Sequence, residues 1–234
     1  MAEKTRMIFV NSGKGGCGKT VTTMALLDYL MSKKIPVFLI ETDTSNPDVA
    51  QAYEGSVPTE PVNLDTEDGW IELLNLCEKL SLREPMPGRT LVVNTGSRNN
   101  EAFNRFGNLL MSNLDPLNID LVTIWLLDGN RDCLELLQDH LTVFTDARVH
   151  VVRNLHCARN FDLYDQGKIR ERVESRGGAS LTLPALAQRV MQTINSSRLT
   201  FAGAASSEEL PFGHKCALFK WRQELVPLCA RVLA

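Results

Sequence analysis

One glycine-rich segment near the N-terminus limits the fold of this chain more than any other. It follows a short apolar run, Met7 to Val10, which predicts a buried strand. From Gly13 to Thr20 the segment fits the pattern G-x-x-x-x-G-K-[ST], whose glycines let consecutive backbone N–H groups face one anion. Such a loop between a strand and a helix binds the phosphates of a nucleotide. The sequence therefore predicts an α/β fold built around a phosphate-binding loop.

The residues of this loop have separate roles in holding a nucleotide. Lys19 would reach the β- and γ-phosphates, and the Thr20 hydroxyl would bind Mg²⁺. The helix that begins near Lys19 would add its positive N-terminal end. A glycine-rich turn without a ligand is the alternative. The predicted nucleotide-binding residues of this segment are Gly13, Lys14, Gly15, Gly16, Cys17, Gly18, Lys19, Thr20 and Val21.

A second lysine, Lys14, directly follows the first glycine of the loop. With it, residues 13–20 resemble the deviant motif K-G-G-x-G-K-T of the ParA/MinD family of P-loop ATPases. In that family the extra lysine reaches across a nucleotide-sandwich dimer to the phosphates of the partner. The resemblance implies a P-loop NTPase fold, a homodimer assembled by ATP, and catalytic roles for Lys14 and Lys19. A solvated surface lysine is the alternative for Lys14.

Two other predicted strands end in polar residues. Glu41 and Asp43 follow an apolar run at the edge where open α/β sheets hold their ligands. The family has an acidic D-x-D-type box here, with Glu41 on its first position and Asp43 on its second, and the resemblance implies that Asp43 orients or activates the attacking water and lies at the metal. A polar turn with a capping aspartate is the alternative. Asn94 ends the next strand where the family has an aspartate, and an amide can hold a magnesium-bound water but brings no charge. We therefore expect ATP and Mg²⁺ as cofactors, Thr20, Asp43 and Asn94 as metal-site residues, and slow hydrolysis.

Two residues in the C-terminal half of the chain match positions that contact the base in the family. Asn154 ends a strand, and an asparagine at this place in the family reads the edge of adenine with its paired donor and acceptor. Pro184 follows the last strand, and the family often has a proline here whose backbone neighbours close over the base. A turn-forming asparagine is the alternative for Asn154.

Apolar runs alternate with segments of helical periodicity along the whole chain. Strand, helix and strand in succession form a βαβ unit with parallel strands. The pattern predicts about six strands in one mostly parallel, doubly wound sheet flanked by helices, and a single domain over residues 1–234. Residues 50–66 and 196–207 show no periodicity, and we expect loops there.

Composition excludes several classes of function. The net charge of −3 gives no bulk basic surface for nucleic acid, so any DNA contact needs a local patch. No apolar run is long enough for a transmembrane helix, and the short N-terminal segment predicts no signal peptide. The six cysteines are scattered without a C-x-x-C pair, as expected for free thiols of a cytoplasmic protein. Cys17 alone has the position of a reactive thiol, between two lysines at a helix N-terminus.

These features predict an ATP-dependent dimerising switch ATPase. The chain is similar to the StbB/TraL group of plasmid stability and conjugation ATPases, which implies a role in plasmid segregation, positioning or conjugative transfer through a small DNA-binding adaptor. Direct contact with DNA stays open. Three alternatives remain: a MinD-like ATPase that associates with a membrane, a small-molecule kinase, and a nucleotide-binding scaffold with negligible hydrolysis.

Overall fold

A computed structural model describes residues 4–97 and 99–234. The strands are β1 (Thr5–Ser12), β2 (Val37–Glu41), β3 (Thr59–Pro61), β4 (Thr90–Asn94), β5 (Ile119–Leu127), β6 (Arg148–Asn154) and β7 (Ser180–Leu183). They form one seven-stranded sheet in the order β3-β2-β4-β1-β5-β6-β7, and every pair of neighbours is parallel. The central strand β1 leads directly into the glycine-rich loop, so the loop lies at the middle of the C-terminal edge of the sheet.

Helices connect the strands. They are α1 (Lys19–Ser32), α2 (Asp48–Ala52), α3 (Glu67–Glu78), α4 (Asn100–Met111), α5 (Arg131–Val143), α6 (Asp162–Asp165), α7 (Lys168–Ser175), α8 (Gln188–Ser196), α9 (Phe201–Ser206) and α10 (Phe212–Leu233). A π-helical turn, Lys79–Arg83, continues α3.

Alternate residues of β1 enter two different apolar cores, because successive side chains of a strand point to opposite faces. Ile8 and Val10 pack with α1, α8, α9 and α10, whereas Met7 and Phe9 pack with α3 and α4. A third core lies between β5, β6 and the helices α5 to α7. With helices on both faces, the sheet exposes its functional groups only at its edges, which is the expected doubly wound arrangement.

The number of strands differs from the expectation of about six, because the segment 50–66 is not only a loop. It contains the end of α2 and the short strand β3. The strand β3 has three residues, is largely exposed and ends in Pro61. Proline lacks a backbone donor and is tolerated at a sheet edge. A strand this short shows no alternation, which explains why periodicity did not detect it.

The segment 196–207 was also predicted wrongly as a loop. It contains α9, whose first turn is capped by Thr200: the backbone N–H of Gly203 donates to the Thr200 hydroxyl over 2.9 Å. Phe201 is fully buried and meets the ring of Trp221 edge to face at 5.0 Å. Small residues conceal the helical pattern of this segment, and a tertiary contact stabilises it.

The longest helix, α10, packs one side against α1 and leaves the other exposed. Leu218 and Leu225 are buried, whereas Phe212 and Phe219 are 83% and 64% exposed. Pro227 lies inside the helix. Within the described part of the chain, no helix has the length and apolarity required to cross a bilayer.

Candidate nucleotide-binding site

The glycine-rich loop connects Ser12, the last residue of β1, to Lys19, the first residue of α1. Gly16 and Gly18 have φ angles of 79° and 96°, in the left-handed region that residues with a Cβ rarely adopt. Gly18 occupies the N-cap position and offers no side chain to the first turn of α1. The N–H groups of that first turn have no partner within the helix, so they can bind an anion.

Lys19 lies folded back over the loop. Its ammonium donates to the Ser12 hydroxyl over 3.1 Å and to the carbonyl of Lys14 over 3.2 Å. The residue is buried, and burial lowers the pKa of its amine, while the nearby Asp43 carboxylate opposes that shift. A buried ammonium held only by neutral oxygens gains the most when an anion arrives beside it.

Lys14 lies on the other side of the loop and points away from Lys19. Its ammonium forms an ion pair with Asp132 at the start of α5, over 2.8 Å. Both side chains are exposed, and the hydrogen bond from Lys14 raises the pKa of its own amine and lowers that of Asp132. Exposed pairs of this kind contribute little to stability, so Lys14 can leave Asp132 at little cost.

Cys17 does not have the environment of a reactive thiol. It is 2% exposed, and burial raises the pKa of its thiol more than the neighbouring Lys19 lowers it. Reactivity requires an accessible thiolate. The expectation from its place between two lysines was wrong because the chain turns the side chain into the core under the loop, where it packs with residues of α1.

Asp43 follows β2 at the same edge of the sheet and is half-buried. Its Oδ1 accepts from the Ser45 hydroxyl over 2.8 Å and from the backbone N–H of Asn46 over 3.1 Å. These bonds form the polar turn that the sequence left open as an alternative. They use one carboxylate oxygen, and the negative charge of Asp43 opposes the lowering of the pKa of Lys19 by burial. A turn role and a catalytic role are therefore compatible at Asp43.

Asn94 connects two elements through its side chain. Its Oδ1 accepts from the Thr23 hydroxyl of α1 over 2.9 Å, and its Nδ2 donates to Oε1 of Glu41 over 2.8 Å. All three residues are buried. Burial raises the pKa of Glu41 to about 7, although the hydrogen bond from Asn94 opposes the shift. The predicted metal-site residue Asn94 is thus part of a pair with a carboxylate.

A cavity of about 260 Å³ opens beside the loop on the α8 side. Its walls include Gly18, Val21, Asn154 and Pro184, which are four of the predicted nucleotide-binding residues. The other lining residues are the apolar Leu183, Leu186, Met191 and Trp221, the polar His156, Gln188, Gln192 and Asn195, and Gly16. An apolar cavity with a few polar groups next to an anion-binding loop fits a planar base whose phosphates lie in the loop.

Asn154 is held rigidly at the floor of this cavity. Its Nδ2 donates to the carbonyl of Cys17 over 2.9 Å, and its Oδ1 accepts from the backbone N–H of His156 over 2.9 Å. An amide has a second N–H and a second acceptor site. Asn154 therefore fixes the loop and retains one donor and one acceptor position for a base.

The residues predicted to bind magnesium fit that ion in kind. Among the described residues there is no group of three or more His, Cys, Asp and Glu side chains that could hold a metal. Mg²⁺ in nucleotide sites keeps most of its waters and takes few protein ligands, together with phosphate oxygens. Thr20 lies on α1 one turn before Thr23, which contacts Asn94, so these residues are near one another. They could hold the ion with its phosphates, where it would neutralise charge on the transferred group.

Sequence reasoning missed two groups of residues at this site. Glu41 was placed in an acidic segment without a role, although its pairing partner Asn94 ends the neighbouring strand in register. The apolar wall from α8 and α10 was also missed. Trp221 lies in the sequence far from the loop and closes the cavity because its Nε1 donates to the carbonyl of Pro184 over 2.7 Å. No local pattern reveals such long-range contacts.

Gly18→Ala is predicted to destabilise the chain more than Gly16→Ala. Both glycines have positive φ, and a side chain in that region costs about 1–2 kcal/mol. A Cβ at Gly18 would also lie 2.6 Å from Nδ2 of Asn154, whereas one at Gly16 would meet nothing within 4 Å. Urea unfolding of both variants measures the difference. Equal losses of unfolding free energy in the two variants would contradict the close approach of Asn154. In a chain that already carries Asn154→Ala, Gly18→Ala should cost no more than Gly16→Ala.

Residues 8–204 match the model of the CobQ/CobB/MinD/ParA nucleotide binding domain. The chain is 44% identical over 217 residues to Protein MobD of Acidithiobacillus ferrooxidans, covering 92% of each chain. The solved structure of the MinD cell division protein of Aquifex aeolicus has a TM-score of 0.52 at 14% identity, with coverage of 95% of this chain and 97% of that chain.

Two further solved structures share the fold. A chain of the MinC:MinD cell division protein complex of Aquifex aeolicus has a TM-score of 0.54 at 13% identity, covering 95% of this chain and 96% of that chain. Apo McdA of Cyanthece has a TM-score of 0.52 at 12% identity, covering 94% and 99%. At these identities the likeness concerns the fold alone, and it agrees with the parallel sheet described above.

Proposed function

The chain belongs to the CobQ/CobB/MinD/ParA family of nucleotide-binding domains, and from this membership we propose that it is an ATP-dependent dimerising switch ATPase. The observation that carries the proposal is the contrast between the two lysines of the loop. Lys19 is buried beside the anion-binding turn, whereas Lys14 is exposed and held only by Asp132. Lys19 thus serves the nucleotide of its own subunit, whereas Lys14 is available to the phosphates of a nucleotide in a partner subunit.

We propose slow, magnesium-dependent hydrolysis of ATP at this site. Lys19 and the loop N–H groups would hold the phosphates, and Thr20 and Asp43 would hold the ion and its waters, with Asn94 bonded beside them to Thr23 and Glu41. Asp43 positions a water for in-line attack on the γ-phosphate. The half-buried carboxylate of Asp43, close enough to act on the Lys19 amine, supports this role. Asn94 brings no charge of its own, which is the reason to expect a slow reaction.

The proposed biological role is plasmid DNA segregation, positioning or conjugative transfer through a small DNA-binding adaptor. It follows from the resemblance to plasmid stability and conjugation ATPases. The net charge of −3 supports an adaptor rather than broad contact of this chain with DNA. A shift of duplex DNA by the ATP-bound protein alone, at physiological salt, would show direct contact and remove the need for the adaptor.

A MinD-like role at a membrane surface is the second candidate, and one observation favours it. Phe212, Phe219 and Val226 lie seven residues apart on the exposed side of α10, so they share one face of the helix. Pro227 lies inside the same continuous helix, next to Val226. Pelleting with anionic liposomes in the presence of ATP separates the candidates, because the adaptor model expects the protein to stay in the supernatant.

Lys14→Ala is predicted to bind ATP as a monomer and to fail in dimerisation and hydrolysis. The exposed ammonium contributes little to the fold, and its proposed ligand is a phosphate in the partner. Light scattering with ADP and with a non-hydrolysable ATP analogue measures the change, and the wild type is expected to dimerise only with the analogue.

Asp132→Ala is the matched control for this variant. It breaks the same ion pair but keeps the Lys14 ammonium, so it should dimerise at least as well as wild type. A loss of dimer in Asp132→Ala equal to that in Lys14→Ala would assign the effect to the ion pair within the chain. Normal dimerisation and turnover of Lys14→Ala would make Lys14 an ordinary surface lysine.

A further inference from the structure

The ends of β2 and β4 meet in a pair of buried polar side chains. Glu41 and Asn94 are register partners on the two strands. Asn94 donates to Oε1 of Glu41 over 2.8 Å and accepts from the Thr23 hydroxyl over 2.9 Å. These hydrogen bonds connect β2 to α1 and fix the orientation of the Asn94 amide. Its nitrogen faces the Glu41 carboxylate and its oxygen faces α1.

The two carboxylate oxygens of Glu41 differ sharply. Oε1 accepts from Asn94 and also from the backbone N–H of Asp43 over 3.0 Å. Oε2 is buried and has no hydrogen-bond partner among the described residues. The N–H of Ala50 is near enough to favour the charged form, but it makes no regular hydrogen bond to Oε2. A buried acceptor without a donor destabilises the folded protein. A ligand that donates a hydrogen bond to Oε2 would remove this cost.

The position of the pair indicates the nature of that ligand. Thr23 lies one turn after Thr20 on the same side of α1, and Asp43 follows Glu41 by two residues. The pair therefore adjoins the place proposed for a hydrated Mg²⁺. Waters of such an ion are strong hydrogen-bond donors, and carboxylates near the ion commonly accept from them.

We infer that Glu41 supplies the buried negative charge of the magnesium site, with Oε2 as an acceptor for a water of the ion, and that Asn94 is the positioning residue that aims this carboxylate. The inference rests on the proposed function, since it requires a magnesium–nucleotide site at this edge. The pair then has one negative charge, on Glu41, and one amide, on Asn94. The charge lies on β2, and the amide on β4 contributes through the carboxylate it holds.

The decisive experiment exchanges the two functional groups. Glu41→Gln removes the charge and can still bond to Asn94, and Asn94→Asp alone places two carboxylates at the 2.8 Å contact. Glu41→Gln/Asn94→Asp keeps one carboxylate and one amide in the pair but moves the charge from β2 to β4. Glu60→Gln is the matched control, because Glu60 is exposed on the neighbouring strand β3. The readout is the affinity for a fluorescent ATP analogue with Mg²⁺ and with EDTA, measured by titration.

We expect Glu41→Gln to lose about 10–100-fold of the Mg²⁺-dependent affinity, which is the usual cost of removing an outer partner of a metal site. The affinity in EDTA should not change. The double variant should regain little of the loss, because the glutamine oxygen at position 41 must still accept from the backbone N–H of Asp43 and leaves a donor at the place of Oε2, and Glu60→Gln should equal wild type. Asn94→Asp alone should unfold at a lower temperature in EDTA, because facing buried carboxylates cannot both be charged without cost, and added Mg²⁺ should restore part of the stability.

Two outcomes would overturn the inference: full Mg²⁺ dependence in Glu41→Gln, or full recovery in the double variant when circular dichroism shows it folded, because the charge would then serve the ion equally well from β4. Failure of the proposed function gives a different result, because wild type would then bind the analogue neither with Mg²⁺ nor with EDTA. If Asn94→Asp alone does not fold, the Mg²⁺-dependent affinity of Glu41→Gln and of the folded double variant still tests the inference.

Discussion

Lys19→Ala is expected to reduce ATP binding by at least about 100-fold. The buried ammonium is the one cation at the described loop that is held by neutral oxygens, those of Ser12 and Lys14. Loss of one partner from a buried ion pair costs about 3–5 kcal/mol, and each 1.4 kcal/mol is tenfold in affinity. The bound β- and γ-phosphates would lose that partner. Isothermal calorimetry with ATP and Mg²⁺ measures the effect.

The fold itself should survive this change. Lys19 bonds only to the loop and adds no apolar contact that the core requires, so far-UV circular dichroism of Lys19→Ala should match wild type. Lys168→Ala is the matched control, because this lysine is exposed on α7, away from the loop. An unchanged ATP affinity in folded Lys19→Ala would end the interpretation of residues 13–20 as a phosphate-binding loop.

The phosphate-binding loop could be predicted from sequence because its chemistry is local. Positive φ at Gly16 and Gly18 and the position of Lys19 at the start of α1 all follow from residues within one short segment. The ends of two buried strands were equally accessible: β4 ends at Asn94 and β6 ends at Asn154, as the sequence predicts. Where apolar residues are continuous and glycines end them, local pattern and tertiary structure agree.

The remainder depended on contacts that no window of sequence contains. Strand β3 exists because β2 offers it an edge, and α9 exists because Phe201 is buried against Trp221. Asn94 and Glu41 show the same limit at the site. Each was noted by itself, yet their relationship depends on β2 and β4 being neighbours, and the order of strands in a sheet does not follow from the order in the chain.

Asp43→Ala is expected to slow ATP hydrolysis by about 10²–10⁴-fold, the usual contribution of a positioned general base, with ATP affinity little changed. Asp43 is half-buried at the end of β2, and its charge opposes the lowering of the pKa of Lys19. The variant should accumulate as an ATP-bound dimer. Steady-state phosphate release gives the rate, and light scattering with ATP gives the dimer.

The alanine variant alone cannot separate catalysis from the turn, because it also removes the bonds to Ser45 and Asn46. Asp43→Asn separates them. Its amide oxygen can accept both of these bonds, so the turn and the stability should remain, while the charge and the basicity are lost. If Asp43 acts on water, Asp43→Asn hydrolyses ATP as slowly as Asp43→Ala and remains an ATP-bound dimer. If Asp43→Asn hydrolyses at the wild-type rate and only Asp43→Ala is impaired, the carboxylate serves the turn, and the proposed mechanism needs another group to place the water.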